Sequence, residues 1–239
     1  MKIALISGTS GLVGMQLLHQ LLQADRYEYV LSVGRRKLAL KHPKLIQLSG
    51  DMTQLEFWNY SELINEQSLG GEYHSLVENL ENGNATIHAF SSLGTTIKQA
   101  GSEEKFFAVD HDLVLYFAKS VKKMGATGFF YVSSMGANPS SNVFYSKVKG
   151  QTEEDLKSLD FDHLGIFRPS LLLGNRHEFR FGEKVATIVM KPLVWLKLFK
   201  NIRPIYDYQV AKAMVSVALD ENRNGIKIIS SGEMQDLSK

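Results

Sequence analysis

The 239-residue chain contains no cysteine. Disulfides, thiol nucleophiles and cysteine-ligated metal sites are therefore excluded, and the composition fits a reducing compartment. No run of 18 or more consecutive apolar residues occurs, so no transmembrane helix is expected. The charge has no strong sign: 27 basic against 25 acidic residues leave a net +2, too near neutral to indicate a nucleic-acid partner. The 7 histidines show neither H-x-x-x-H nor H-E-x-x-H spacing, so nothing supports zinc. One stretch, VDHD at 109–112, looks metal-like, but neighbouring residues on a helix point about 100° apart and cannot converge on one ion. No metal is expected. The opening MKIALISGTSGLVG has too short an apolar run for a signal peptide and reads as a first strand. Together these features lead to the expectation of a cytoplasmic protein.

Hydrophobic residues make up 44% and aromatic residues 10%, enough for a proper core in one domain spanning 1–239. Short β-type runs alternate with helical patterns. Strands are predicted at 2–7, 29–34, 45–51, 85–94, 127–134, 163–174 and 226–230. Helical periods are predicted at 11–23, 103–123, 143–159 and 207–220, with a mixed helical and loop-like stretch up to about 82. Such alternation implies βαβ units: an α/β, Rossmann-type, doubly wound parallel sheet. The rhythm breaks at 175–206, where Arg176, Arg180 and Arg203 surround the apolar segment ATIVMKPLVWLKLF. This small C-terminal region is expected to cap the carboxyl ends of the strands, where open α/β sheets bind ligands. Residues 185–199 also have lysines placed like the polar anchors of an interfacial membrane helix, but Pro192 breaks the pattern. A substrate cap or a homodimer contact is the favoured reading, with no stable membrane insertion.

Between the first strand and the first helix lies GTSGLVG, with Gly8, Gly11 and Gly14. Backbone N–H groups and the helix dipole can hold a pyrophosphate there, and glycines permit the tight turn and the close approach. In NAD-binding sheets an acid after the second strand holds the ribose 2′-OH. Here the strand runs instead into Arg35-Arg36-Lys37, and a guanidinium matches a 2′-phosphate. The expected cofactor is NADP(H). Asp51, after the third strand, is placed either to meet the adenine or simply to form a turn.

Two stretches read Tyr-x-x-x-Lys: YSKVK (Tyr145, Lys149) and YQVAK (Tyr208, Lys212). Residues four apart share a helix face. Roughly 0.7 such matches arise by chance in a chain of this composition, so context must discriminate. Tyr145 follows the strand FFYVSS, whose Ser133 and Ser134 lie at the carboxyl edge where a parallel sheet gathers its chemistry. Tyr208 has no serine-bearing strand leading into it. Hydride transfer to a carbonyl leaves an alkoxide that needs a proton, and the reverse reaction needs a base. Tyrosine can do both, but its unperturbed pKa of about 10 is high. A nearby ammonium favours the phenolate. Lys149 supplies that charge and could also bind the nicotinamide ribose, while a serine hydroxyl would hold the substrate oxygen.

GTSGLVG, GRRKL, SSLGTT, VSSMGA, YSKVKG and FRPSLLLGNRHEFRFGE, in that order, resemble the short-chain dehydrogenase/reductase superfamily. Within it the chain is similar, over nearly its whole length, to the atypical branch of the metazoan Tat-interacting protein oxidoreductase and its bacterial relatives. The resemblance implies an NADPH-binding Rossmann fold with Tyr145 as proton donor and acceptor and Lys149 as its partner. It further implies cofactor contacts from Ser10, Gly11, Leu12, Val13, Arg35, Arg36, Leu93 and Gly94, with Leu172 and Arg180 near the nicotinamide end. Ser134 fits the serine position slightly better than Ser133. Asp110 stands where much of the superfamily has an asparagine, so a proton relay through that asparagine does not carry over. The expected activity is NADPH-dependent hydride transfer to or from a small carbonyl or alcohol. The alternative is a non-catalytic NADP(H) sensor, a role taken by some atypical members that often lack the Tyr or the Lys.

Overall fold

Runs such as KIALIS and GFFYV are apolar on both faces, the pattern of strands covered by helices on each side. In the computed structural model, which describes residues 1–68, 71–174, 201–220, 222 and 224–239, they form the centre of a parallel sheet. The strands are β1 (Lys2–Ser7), β2 (Tyr29–Gly34), β3 (Leu45–Ser49), β4 (Thr86–Ser91), β5 (Gly128–Val132), β6 (His163–Arg168) and β9 (Gly225–Ser230). Their order is β3-β2-β1-β4-β5-β6-β9, with every neighbouring pair parallel. The order reverses between β1 and β4, and this switch point opens a crevice at their carboxyl ends.

On one face α1 (Leu12–Gln23) and α8 (Asp207–Leu219) bury Leu17, Leu21, Val210 and Met214 against Ile6, Phe90 and Phe130. The other face carries a 3-10 helix (Met52–Phe57), α2 (Tyr60–Asn65), α3 (His74–Glu81) and α6 (Leu113–Lys123). Leu55, Ile64, Leu76 and Phe117 there cover Leu5, Leu31 and Phe129. Among the described residues no helix is long and apolar enough to cross a membrane.

Three elements differ from expectation. The helical period at 103–123 divides after the short α4 (Ile97–Ala100) into α5 (Glu103–Phe107), a π turn (Ala108–Asp112) and α6. The run 163–174 is not one strand. Pro169 has no N–H to donate, so β6 stops at Arg168. The chain then turns to make the short β7 (Leu172–Leu173), paired with β8 (Ile205–Tyr206). A last helix, α9 (Ser231–Leu237), was not anticipated. It opens on a capping box in which Ser230 and Glu233 satisfy each other's backbone N–H groups. Of the region 175–206, residues 175–200 lie outside the described residues, and with them Arg176 and Arg180.

Candidate active site

The crevice begins at α1. Gly8 has φ +88°, a left-handed conformation, and a Cβ there would lie 2.6 Å from the Ser92 carbonyl carbon. A Cβ on Gly14 would collide with the Gly8 carbonyl oxygen and the Ser92 hydroxyl. The two glycines thus let the loop fold down on the end of β4. Gly11 is the N-cap and offers no side chain to the helix, and the first turn holds no acid. The N–H groups that open α1 therefore face the crevice with no intrahelical partner, the arrangement that binds phosphate. The cradle fits a dinucleotide pyrophosphate.

Leu12, Val13, Leu93, Gly94, Ser134, Tyr145, Lys149 and Leu172 line one cleft with Gly11. Ser10 is exposed on the loop between Gly8 and Gly11, while Gly8 and Gly14 lie beneath it. Arg35 and Arg36 are exposed just beyond β2, which neighbours β1. Asp51 forms a turn at the carboxyl end of β3. It caps the 3-10 helix, and its Oδ1 accepts from the Thr53 N–H at 2.9 Å and the Thr53 hydroxyl at 2.8 Å. Those bonds hold its carboxyl below the usual carboxylate range.

Tyr145 and Lys149 occupy successive turns of α7 (Phe144–Lys157). The Tyr145 ring is half-buried and lies 5.7 Å from that of Phe106. Its hydroxyl makes no hydrogen bond within the described residues. Lys149 is almost wholly buried, 3% exposed, and needs compensation at that depth. It receives it from two groups that the motif did not reveal. Asp110, on the π turn, pairs with Nζ at 2.8 Å. Tyr131, on β5, accepts from Nζ at 3.0 Å. Burial is the largest single influence and pushes the lysine down, but Asp110, Tyr131 and Tyr145 together hold the ammonium above its ordinary range. Tyr131 is pushed up to about 12 by burial, against the pull of Lys149. The other Asp110 oxygen accepts from the Thr95 N–H at 2.7 Å, tying the loop after β4 to the π turn.

The two serines separate clearly. Ser133 is buried and donates to Glu153 at 2.5 Å. Glu153 also receives Nε and Nη2 of Arg168, at 3.0 and 2.5 Å. This network clamps the ends of β5 and β6 to α7 one turn beyond Lys149. Ser134 is only partly buried, lines the cleft and spends its hydroxyl on no other group among the described residues. The side chains of the VDHD run take different partners. Asp110 turns to Lys149, while His111 bridges Asp112 and Asp155, each at 2.8 Å. The second motif is not part of the cleft lining. Tyr208 is exposed at the start of α8, and Lys212 donates to the carbonyls of Ser238 and Lys239 at 3.1 Å each.

Sequence comparison finds relatives over the full length. The protein FMP52, mitochondrial, of Eremothecium gossypii is 32% identical over 240 residues, covering 99% of this chain and 97% of that one. HTATIP2 of Rattus norvegicus is 33% identical over 185 residues, 77% of this chain and 69% of that one. No protein-family model matches the chain. Among solved structures, a short chain dehydrogenase family protein from Francisella tularensis superposes with a TM-score of 0.60, at 15% identity and 98% coverage of both chains. At that identity the likeness is one of fold. The relatives' names correct one expectation: further yeast relatives are also named mitochondrial, so a cytoplasmic location is not supported. The physical reason is that lack of cysteine and of a long apolar run suits any reducing aqueous compartment and does not select the cytosol.

Proposed function

This chain belongs to the family of the FMP52 and HTATIP2 proteins, an atypical branch of the short-chain dehydrogenase/reductases, and from that premise we propose that it is an NADPH-dependent oxidoreductase acting on a small carbonyl or alcohol. One observation carries the reading. A tyrosine hydroxyl with no hydrogen-bond partner among the described residues and a buried, fully compensated lysine share a cleft with the uncapped N-terminus of α1.

A nicotinamide dinucleotide, when bound, supplies or accepts the hydride. The chain's residues handle the remaining proton and the substrate. Tyr145 delivers its hydroxyl proton to the substrate oxygen in reduction and takes it back in oxidation. Lys149 holds positive charge behind it and hydrogen-bonds the ribose side of the cleft. Ser134 donates to the substrate oxygen and orients it. Arg35 and Arg36, which have no acidic partner among the described residues, receive the 2′-phosphate and set the preference for NADPH over NADH.

The test is calorimetric binding of NADPH and NADH, followed by a carbonyl panel monitored by NADPH oxidation. Wild type should bind NADPH at least tenfold more tightly than NADH, roughly a 1.4 kcal/mol difference, and Arg35→Ala should narrow that gap. Tyr145→Phe should keep NADPH binding and lose roughly 10²- to 10⁴-fold in turnover. Equal affinity for the two cofactors would remove the role given to the arginines. Tight NADPH binding with no turnover on any carbonyl would assign the chain to the sensor role instead.

A further inference from the structure

Strand β3 reads Leu45-Ile46-Gln47-Leu48-Ser49, and its one amide shares the α1 face of the sheet with Leu45, in register with Ser32 of β2. Both ends of that amide are spent on the segment that joins β2 to β3. Gln47 Oε1 accepts from the Leu38 N–H at 2.7 Å, and Nε2 donates to the carbonyls of Leu38 and Leu40 at 3.1 and 2.9 Å. Two carbonyls facing one end of the amide fix that end as the nitrogen. The Leu38 and Leu40 side chains pack on the core beneath α1. Ser32 meets Thr9 of the glycine loop, Oγ to Oγ1, at 3.1 Å. Paired residues of β2 and β3 thus hold, from one face of the sheet, both the glycine loop and the segment that follows β2.

That segment is cationic. Residues 35–44 include Arg35, Arg36, Lys37, Lys41 and Lys44 and no acid. Like charges crowded into one loop repel, so the loop needs an anchor. A carboxylate in place of the amide would oppose the two carbonyls and draw the guanidiniums to itself. The amide holds the backbone and leaves them uncommitted. Arg35, Arg36 and Lys37 lie between two fixed points. Gly34 is held at the end of β2, where its carbonyl accepts from the Gly50 N–H at 3.1 Å, and Leu38 is held by Gln47. Lys37 is drawn aside to Gln67 Oε1 at 3.1 Å. We infer that Gln47 is a positioning residue for cofactor choice: by pinning the backbone at Leu38 and Leu40, it presets Arg35 and Arg36 to receive a 2′-phosphate. A guanidinium placed beforehand loses less freedom on binding, so the pinned backbone strengthens the phosphate contact.

This inference rests on the reading of Arg35 and Arg36 as the 2′-phosphate site, and its test needs no substrate. NADPH and NADH are titrated calorimetrically into wild type, Gln47→Met, Arg35→Ala/Arg36→Ala and the triple variant. Methionine keeps the length of the side chain and makes none of the three hydrogen bonds. Gln47→Met should weaken NADPH binding about tenfold. It should leave NADH within about twofold of wild type. In the background without the arginines, Gln47→Met should change NADPH affinity by no more than about twofold. A residue that merely supports the fold would weaken both cofactors alike. In case Gln47→Met does not fold, Gln47→Asn provides a second measurement: its amide is too short to reach both carbonyls, and the NADPH preference should fall in the same direction. Equal loss of both cofactors, or the same tenfold loss of NADPH in the background without the arginines, would overturn the inference. Wild type binding NADPH and NADH equally would remove the arginine reading and the inference with it. A wild type that prefers NADPH, with the preference unmoved by the Gln47 substitution, would refute the inference alone and leave the arginine reading standing.

Discussion

Tyr27 and His88 show at residue scale how much a single buried contact can couple this fold to pH. The Tyr27 hydroxyl and His88 Nδ1 lie 2.8 Å apart, joining the turn before β2 to the middle of β4. Burial, aided by the charges of Lys2 and His163, pushes His88 down to about 4 from its ordinary 6.5. A histidine depressed on folding binds fewer protons in the native state than in the unfolded one between those two values. Its contribution is present above about pH 6.5 and is lost as pH falls toward 4, at most on the order of 3 kcal/mol. Denaturant titrations at pH 7 and pH 4.5 should show that loss, and His88→Gln should flatten it. Parallel pH dependences for the two proteins would contradict the assignment. At this scale the sequence was partly legible. Tyr145 and Lys149 announce themselves by helical spacing, and Ser133 and Ser134 by their place at a strand end. The partners of Lys149 do not. Asp110 comes from a distant element, and Tyr131 is one aromatic residue in an apolar strand. A tyrosine in a buried strand needs a partner for its hydroxyl, which is the signal that could have flagged it.

At element scale the proposed phosphate site is the turn from β1 into α1. Gly14 is buried in the first turn, where any side chain would press on the Gly8 carbonyl and on Ser92. Gly14→Ala should push the helix N-terminus off the loop. NADPH should then bind at least tenfold more weakly by calorimetry, roughly 1.4 kcal/mol or more. Unchanged affinity would mean that α1 does not hold the phosphates. The elements themselves were read well where periodicity was clean: β1, β2 and α1 lie within a residue of their expected bounds. The misses have local causes. The π turn at Ala108–Asp112 preserves the apolar period on both sides, so 103–123 looks like one helix. Pro169 ends β6 inside an apolar run that looks continuous. The capping box of Ser230 and Glu233 was readable as S-x-x-E but follows directly on a strand.

At the scale of the whole molecule, the described residues form a seven-stranded parallel sheet whose switch point, glycine loop and tyrosine–lysine pair meet at one edge. That convergence follows from topology, because a doubly wound sheet brings every strand-to-helix turn to the same side. It explains why YSKVK and YQVAK, equal as patterns, differ in consequence. The first follows β5 into the crevice, whereas the second opens α8 and ties Lys212 to the C-terminal carbonyls. The substrate was not legible, because the segment expected to shape its pocket, 175–206, carries no motif tied to a known chemistry. The most direct measurement of the proposed activity is isotope transfer. Wild type and Tyr145→Phe are each incubated with NADPH labelled with deuterium at the transferable position and with a panel of small carbonyls, and the alcohols are analysed by mass spectrometry. Deuterium should appear in an alcohol with wild type and be lost with Tyr145→Phe, although both proteins bind NADPH. Bound NADPH with no deuterium in any product, or equal transfer by both proteins, would contradict the assignment of Tyr145 and Lys149 as the proton-handling pair of a reductase.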